Sequence, residues 1–297
     1  MLTLGCDPEV FLQSGGELLP AFEVLPKKGD SPVFWDGFQA EFATKAKSSV
    51  RELRDEIELG LQRLLTTARI KRPQADFLAQ DVVGVEDAYF DKLPLEYVQL
   101  GCDPSLNIYG EQGQIPGDAR HLPWRFAGGH IHFGHPHLTG AADRGRAAAD
   151  VVADLDKILG IWSVGVAGPY EALQKRRTFY GLAGEFRIPP HGVEYRSLSN
   201  FWLASPEMFE LTFGVAERVF MSSIVGAAKF WLNDFKLTKH TINSYDVAMA
   251  RRMIKTNEKL FAQICGPLGR RAMQACYEGM ESVVPKPLAI RENWKLV

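Results

Sequence analysis

The sequence predicts an α+β protein, with a strand-rich front of about two hundred residues and a helical rear of about ninety. Three observations carry this. The front is rich in Gly, Pro and short alternating runs, whereas the rear has longer apolar periodicity with few breakers. Four short segments of the front also place two polar or ionisable side chains at i and i+2 among apolar neighbours, the mark of strands with one face on a core. No low-complexity linker interrupts the 297 residues, so residues 1–297 read as one unit in which 203–297 form a helical C-terminal subregion.

Taken in chain order, Ser49-Val50-Arg51-Glu52 has capping-box spacing. Val50, Leu53, Ile57, Leu61, Leu64 and Leu65 then recur at helical intervals, which predicts a helix to about Arg69. A second helix is expected from about Ala141 to Trp162, with Val151, Leu155, Ile158, Leu159 and Trp162 on its apolar face. Ser205-Pro206-Glu207 is a helix start with Pro at the first helical position, and further helices are expected at about 245–255, 257–265 and 268–282. One internal echo exists, Gly5-Cys6-Asp7-Pro8 returning as Gly101-Cys102-Asp103-Pro104, which is too short to indicate a duplicated domain.

Composition removes several classes. The chain is 46% apolar and 24% charged, with 34 Lys and Arg against 36 Asp and Glu, which excludes disorder, collagen and a basic nucleic-acid binder. No run approaches the roughly 20 apolar residues of a membrane span, the nearest being the Gly-punctuated stretch Ile158 to Gly168. The start, Met1-Leu2-Thr3-Leu4-Gly5, lacks the cationic region of a signal peptide. Cys6, Cys102, Cys265 and Cys276 are far apart and form no CxxC, which suits a reducing compartment. A cytoplasmic protein without membrane or nucleic-acid partners is the expectation.

The polar pairs are Asp7 with Glu9, Gln39 with Glu41, His130 with His132, and Glu194 with Arg196. Singly, each suits an edge or solvent-facing strand; His-x-His after Gly128-Gly129 is more pointed, because glycine lets backbone or ligand approach two imidazoles. Several carboxylates with one imidazole and no thiolate form a hard-ligand set, better matched to Mg²⁺ or Mn²⁺ than to zinc. Between residues 176 and 187 the chain carries Arg176, Arg177 and Arg187 around Tyr180-Gly181. Cations converging on a metal site require an anion between them, so a polyphosphate is the expected ligand; the alternative is a solvated turn with surface arginines. Lys27-Lys28-Gly29-Asp30 reads as a loop able to cover phosphates. Trp35, Trp124 and Phe133 suit a pocket wall or a core equally.

The Gly-Cys-Asp-Pro-Glu start, the Asp36 to Glu41 strand, Gly-Gly-His-Ile-His-Phe-Gly, and the series Arg, Tyr-Gly, Arg, Glu-Tyr-Arg together resemble one family. They are similar to the carboxylate-amine ligases of the glutamine synthetase and glutamate-cysteine ligase superfamily, and within it to the bacteriophage-type amidoligases, COOH-NH2 ligase type 2. The resemblance runs from residue 1 to about 203; the helical rear adds no motif. It implies an antiparallel sheet curved into a catalytic funnel with helices packed outside, ATP at one end and divalent ions at the waist. Carried over by position, it implies metal contacts at Asp7, Glu9, Glu41, His130 and Glu194. It implies phosphate or nucleotide contacts at His132, Arg177, Arg187 and Arg196, with Arg187, Arg196 and Glu194 acting in catalysis; Lys28 joins the expected nucleotide contacts from its loop, not from the resemblance. Asp7 departs from the wider superfamily, where a glutamate is usual on that strand.

The implied reaction is ATP-dependent formation of an amide or peptide bond through an acyl phosphate, from a small-molecule or peptide carboxylate and an amine. It needs no nucleophilic side chain, in keeping with the absence of a G-x-S-x-G elbow, a Cys-His signature or a Walker motif. The rival is a metal-dependent hydrolase using His130 and His132, since His130-Ile131-His132-Phe133-Gly134-His135 nearly spells H-x-H-x-D-H, with Gly134 in place of the Asp. A cupin-like barrel expects a nearby Glu that is missing, and a non-catalytic binding module would turn nothing over. The substrates, the general base and the oligomeric state are left open by the sequence.

Overall fold

The computed structural model describes residues 1–98, 105–111, 119–167, 174–231 and 234–297. The Gly101 to Pro104 echo lies outside the described residues. Eleven strands are described: β1 (Thr3–Ser14), β2 (Glu17–Leu19), β3 (Val33–Asp36), β4 (Gln39–Phe42), β5 (Ala75–Leu78), β6 (Val82–Gly84), β7 (Leu106–Asn107), β8 (Trp124–Phe126), β9 (Gly129–Gly134), β10 (Glu185–Arg187) and β11 (Gly192–Tyr195). Nine form one antiparallel sheet in the order β3-β4-β1-β9-β11-β10-β7, with β2 and β5 also paired to β1, while β6 and β8 form a separate pair. The twelve-residue β1 is the spine: its first half pairs with β9, its middle with β4 and its end with β2 and β5.

Register decides what the sheet presents. Opposed residues of an antiparallel pair share a face, as do alternate residues along a strand. Glu9 opposes Glu41, Asp7 opposes His130, His132 opposes both Gly5 and Glu194, and Glu194 opposes Arg187. These links join the polar pairs of four separate strands into one surface. On the other face Leu4 opposes Phe133, Cys6 opposes Ile131, and Ile131 and Phe186 both oppose Tyr195, all of them buried.

The helices cover that apolar face. Ser49 caps the helix Val50–Lys71 by accepting the Glu52 N–H at 3.3 Å, and Leu53, Ile57, Leu61, Leu64 and Leu65 are fully buried. The second expected helix begins later, at Arg144, because the Asp143 side chain caps the Arg146 N–H. It runs through Leu155 into a π-turn, Asp156–Gly160, and continues as Ile161–Ala167. Ser205 caps Pro206–Ile224, whose Phe220 stacks on Phe133 of β9 with ring centroids 4.8 Å apart. The rear then supplies Phe235–Asn243, Val247–Thr256, Glu258–Cys265 and Gly269–Glu278. The last stops short of the expected residue 282 because Gly279 takes a left-handed conformation. Cys6, Cys265 and Cys276 are buried free thiols. Among the described residues no helix is long and apolar enough to cross a membrane.

Candidate active site

The polar face is charged unevenly. At the β1-β4-β3 end sit Asp7, Glu9, Glu41 and Asp36, with Lys28 as the cation nearest Glu41, its Nζ 3.8 Å from Oε1 and its side chain 69% exposed. At the β10-β11 end sit Arg187 and Arg196, with Arg176 behind them. His130 and His132 on β9 lie between.

Glu9 and Glu41 are 5% and 7% exposed and directly opposed. Glu9 Oε2 accepts the Gly128 N–H at 2.5 Å and Oε1 accepts from the Tyr180 hydroxyl at 3.3 Å. Burial pushes the Glu9 carboxyl well above the usual carboxylate range, against the Gly128 bond. Burial does the same to Glu41, reinforced by the charge of Glu9. Asp36 is also raised by burial, with Lys28 opposing.

His130 is buried, its Nδ1 3.4 Å from Glu194 Oε1 and its Nε2 in hydrogen-bond contact with the Tyr180 hydroxyl. Burial, with Arg196 and Arg176 close by, holds this imidazole far below its ordinary pKa, so it is neutral. His132 behaves oppositely. Burial disfavours its charge, yet its bond to Asp7, whose Oδ2 lies 3.2 Å from Nε2, raises it overall. Asp7 is correspondingly lowered: burial alone would raise it, but the His132 bond and charge prevail. His132 Nδ1 also lies 3.3 Å from Nε2 of His191, the rings stacked at 5.4 Å between centroids.

Glu194 accepts from Arg196 Nη1, with Arg187 Nη1 4.0 Å from its other oxygen. Arg176 and Arg177 are not surface arginines on a solvated turn. They lie on the helix Gln174–Phe179 and are 0% and 2% exposed. Arg176 donates to the Leu198 carbonyl at 2.7 Å, and its charge acts on Glu9 and His130. Arg177 donates to the Gly181 carbonyl at 2.8 Å and lies over the Tyr245 ring, its charge acting on Asp156. Of the two, Arg176 is the one that reaches the carboxylate cluster.

Gly128 and Gly129 admit protein rather than open space. A Cβ at Gly128 would lie 2.6 Å from His130 Nε2 and 2.7 Å from Tyr180 Oη, and one at Gly129 would lie 2.2 Å from the Ser199 carbonyl oxygen. Trp35 and Trp124 are half-buried, whereas Phe133 is core. Sequence reasoning placed Arg176 among the converging cations but missed Tyr180 and Glu185 as members of this cluster, although Tyr180-Gly181 stood within the arginine series. Glu185 is buried, its carboxyl raised by that burial, and it accepts the Gly181 N–H at 2.9 Å.

Two buried, opposed carboxylates with little counter-charge, a neutral imidazole and further carboxylates across β1 and β11 make a donor set suited to a hard divalent cation. Among the described residues no three His, Cys, Asp or Glu side chains are already gathered as a metal cage. Glu9, His130 and Glu194 instead hold Tyr180 and Arg196.

The chain is similar in fold to a bifunctional glutathione synthetase from Pasteurella multocida, with a TM-score of 0.56 and 10% identity over 97% of this chain and 48% of that one. The chain thus spans about half the length of that enzyme. No curated protein matches the sequence. The sequence model of the phage phiEco32-like COOH.NH2 ligase-type 2 family matches residues 117–265, half of the chain. That match takes in β9, β10 and β11 and extends past the expected limit near residue 203 into the helical rear, while β1 and β4 lie before it. The chain belongs to the phage phiEco32-like COOH.NH2 ligase-type 2 family.

Proposed function

We propose that residues 1–297 act as one cytoplasmic catalytic unit that activates a small-molecule or peptide carboxylate as an acyl phosphate and passes it to an amine, on a sheet curved as a glutamine-synthetase-like funnel. The observation that carries this is the division of one sheet face into a buried acidic end, Glu9 with Glu41, and an arginine end, Arg187 with Arg196. Such a face accommodates a polyphosphate only with cations at its acidic end. Asp7, Glu9, Glu41, His130 and Glu194 are the residues that would hold Mg²⁺ or Mn²⁺. A bound divalent ion supplies charge neutralisation on the nucleotide phosphates.

In the first step a carboxylate oxygen attacks the γ-phosphorus and ADP leaves. In the second the amine nitrogen attacks the acyl carbon, phosphate leaves, and the amine loses a proton. Arg196 is fixed by Glu194 and packed near the Tyr180 ring, so its guanidinium is oriented before substrate arrives. Arg187, 29% exposed at the edge of the cluster, meets the transferring phosphoryl group. Lys28 is placed to close over phosphates from its loop, with His132 as a further nucleotide contact, whereas Arg177, buried over Tyr245 and acting on Asp156, is turned away from this face. The buried setting excludes water that would hydrolyse the acyl phosphate.

The test is ADP and phosphate release with Mg²⁺, ATP and pooled amino acids, polyamines and small peptides, followed by transfer of ¹⁸O from a labelled carboxylate into the released phosphate. Amine-stimulated release with label transfer supports the reading. Release without label transfer removes the acyl phosphate, and absence of any nucleotide binding removes the reading altogether.

A further inference from the structure

Tyr180 follows the helix Gln174–Phe179, and its N–H closes that helix on the Arg176 carbonyl at 2.7 Å. The next residue is Gly181 at φ +71, where a Cβ would lie 2.2 Å from Arg176 Nη1, so the turn that delivers Tyr180 requires glycine. The phenol ring lies between two guanidiniums, Arg176 at 5.0 Å and Arg196 at 5.5 Å from its centroid, and the residue is 4% exposed. Its hydroxyl is the convergence point of three strands: it contacts Glu9 Oε1 of β1 at 3.3 Å, His130 Nε2 of β9, and Arg196 Nη2 just beyond β11 at 3.4 Å.

A phenol has one hydrogen to donate: Arg196 donates to the Tyr180 oxygen, and the hydroxyl hydrogen goes either to the Glu9 carboxylate oxygen or to the Nε2 lone pair of the His130 tautomer protonated at Nδ1. Both of these acceptors are lone pairs that a divalent cation would use. We propose that the Tyr180 hydroxyl is a positioning latch that holds Glu9 and His130 in place and competes with the divalent cation for their donor atoms. This rests on the metal-dependent ligase reading above, and assigns to Tyr180 a role beyond it. The hydroxyl must give up Glu9 Oε1 and His130 Nε2 as the cation takes them. It retains Arg196, so cation binding is coupled through one side chain to the guanidinium at the phosphate end.

The test compares Mn²⁺ binding to the wild-type chain and to Tyr180→Phe, by electron paramagnetic resonance of the free ion and by calorimetry. The variant keeps the ring between the guanidiniums and removes only the competing oxygen. Mn²⁺ is expected to bind Tyr180→Phe roughly fivefold or more tightly, the scale of one hydrogen bond. The thermal shift on adding Mn²⁺ should also be larger in the variant. Equal or weaker binding in Tyr180→Phe, with wild type binding normally, overturns the latch and leaves the ligase reading standing. A wild type that binds no Mn²⁺ overturns the metal reading and the latch together. Should the variant not fold, the wild type alone decides: Mn²⁺ titration must give a tyrosine difference absorption that saturates with binding, and its absence overturns the proposal.

Discussion

The opposed carboxylates of Glu9 and Glu41 make a direct prediction: replacing Glu41 by Gln should stabilise the protein while abolishing its turnover. Opposed residues of an antiparallel pair have Cβ atoms about 5 Å apart. Unit charges about 5 Å apart at an effective dielectric constant near 20 repel by about 3 kcal/mol. Lys28 offsets little of this, since its ammonium is mostly exposed and 3.8 Å away. Both carboxyls are raised by burial, so the native state holds protons that the unfolded chain has already released at the same pH, and stability falls as pH rises through that interval. Glu41→Gln removes one member of the pair and keeps the side-chain volume. The expected gain is about 1–3 kcal/mol at about pH 8.5, a Tm rise of roughly 3–8 °C, with little change near pH 5, where the wild-type pair is protonated. Under the proposed function, turnover should fall at least about a hundredfold, because the acidic end would lose a carboxylate proposed to hold the cation. Paired thermal melts at the two pH values, with and without Mg²⁺, make the measurement. A variant less stable than wild type at the higher pH, or equally stabilised at both, would refute the claim that repulsion at this pair is held in the native sheet.

Asp156, buried in the π-turn and accepting from Tyr195 at 2.6 Å, has its carboxyl raised to about 7 by burial. Between about pH 5 and pH 8 wild type should therefore lose about 3 kcal/mol that Asp156→Asn keeps, read from urea melts across pH. Gly128→Ala should cost most of the activity and destabilise the chain by about 1–3 kcal/mol, since its methyl group meets His130 Nε2 and Tyr180 Oη; near-normal turnover would show that this corner yields. Leu61→Ala, deep under the helix Val50–Lys71, should cost about 2–5 kcal/mol by chemical denaturation without altering the KM for ATP.

The parts of this molecule that were legible from sequence are those fixed by neighbours in the chain. Ser49 to Glu52 and Ser205 to Glu207 announce helix starts because capping is a three-residue event. Each polar pair announces a strand face because i and i+2 share a side. What no short window contains is register. That Glu9 meets Glu41, and that Asp7 meets His130 rather than a neighbour two residues away, is settled by pairing over tens to more than a hundred residues. The same limit hid Tyr180, whose hydroxyl meets Glu9 from 171 positions away. It hid the burial of Arg176 as well, whose Nη1 and Nη2 donate to carbonyls of residues that follow β11. The π-turn was invisible for a different reason. Its residues, Asp156 to Gly160, keep an ordinary amphipathic pattern, and the wider turn sets Asp156 against Tyr195 on the back of the sheet. Tyr195 lies between Glu194 and Arg196, so the helix layer grips the strand that presents the arginine end of the site. Alternation along β11 thus ties the two faces together: the residue that anchors the strand to the core fixes the positions of the two on the polar face.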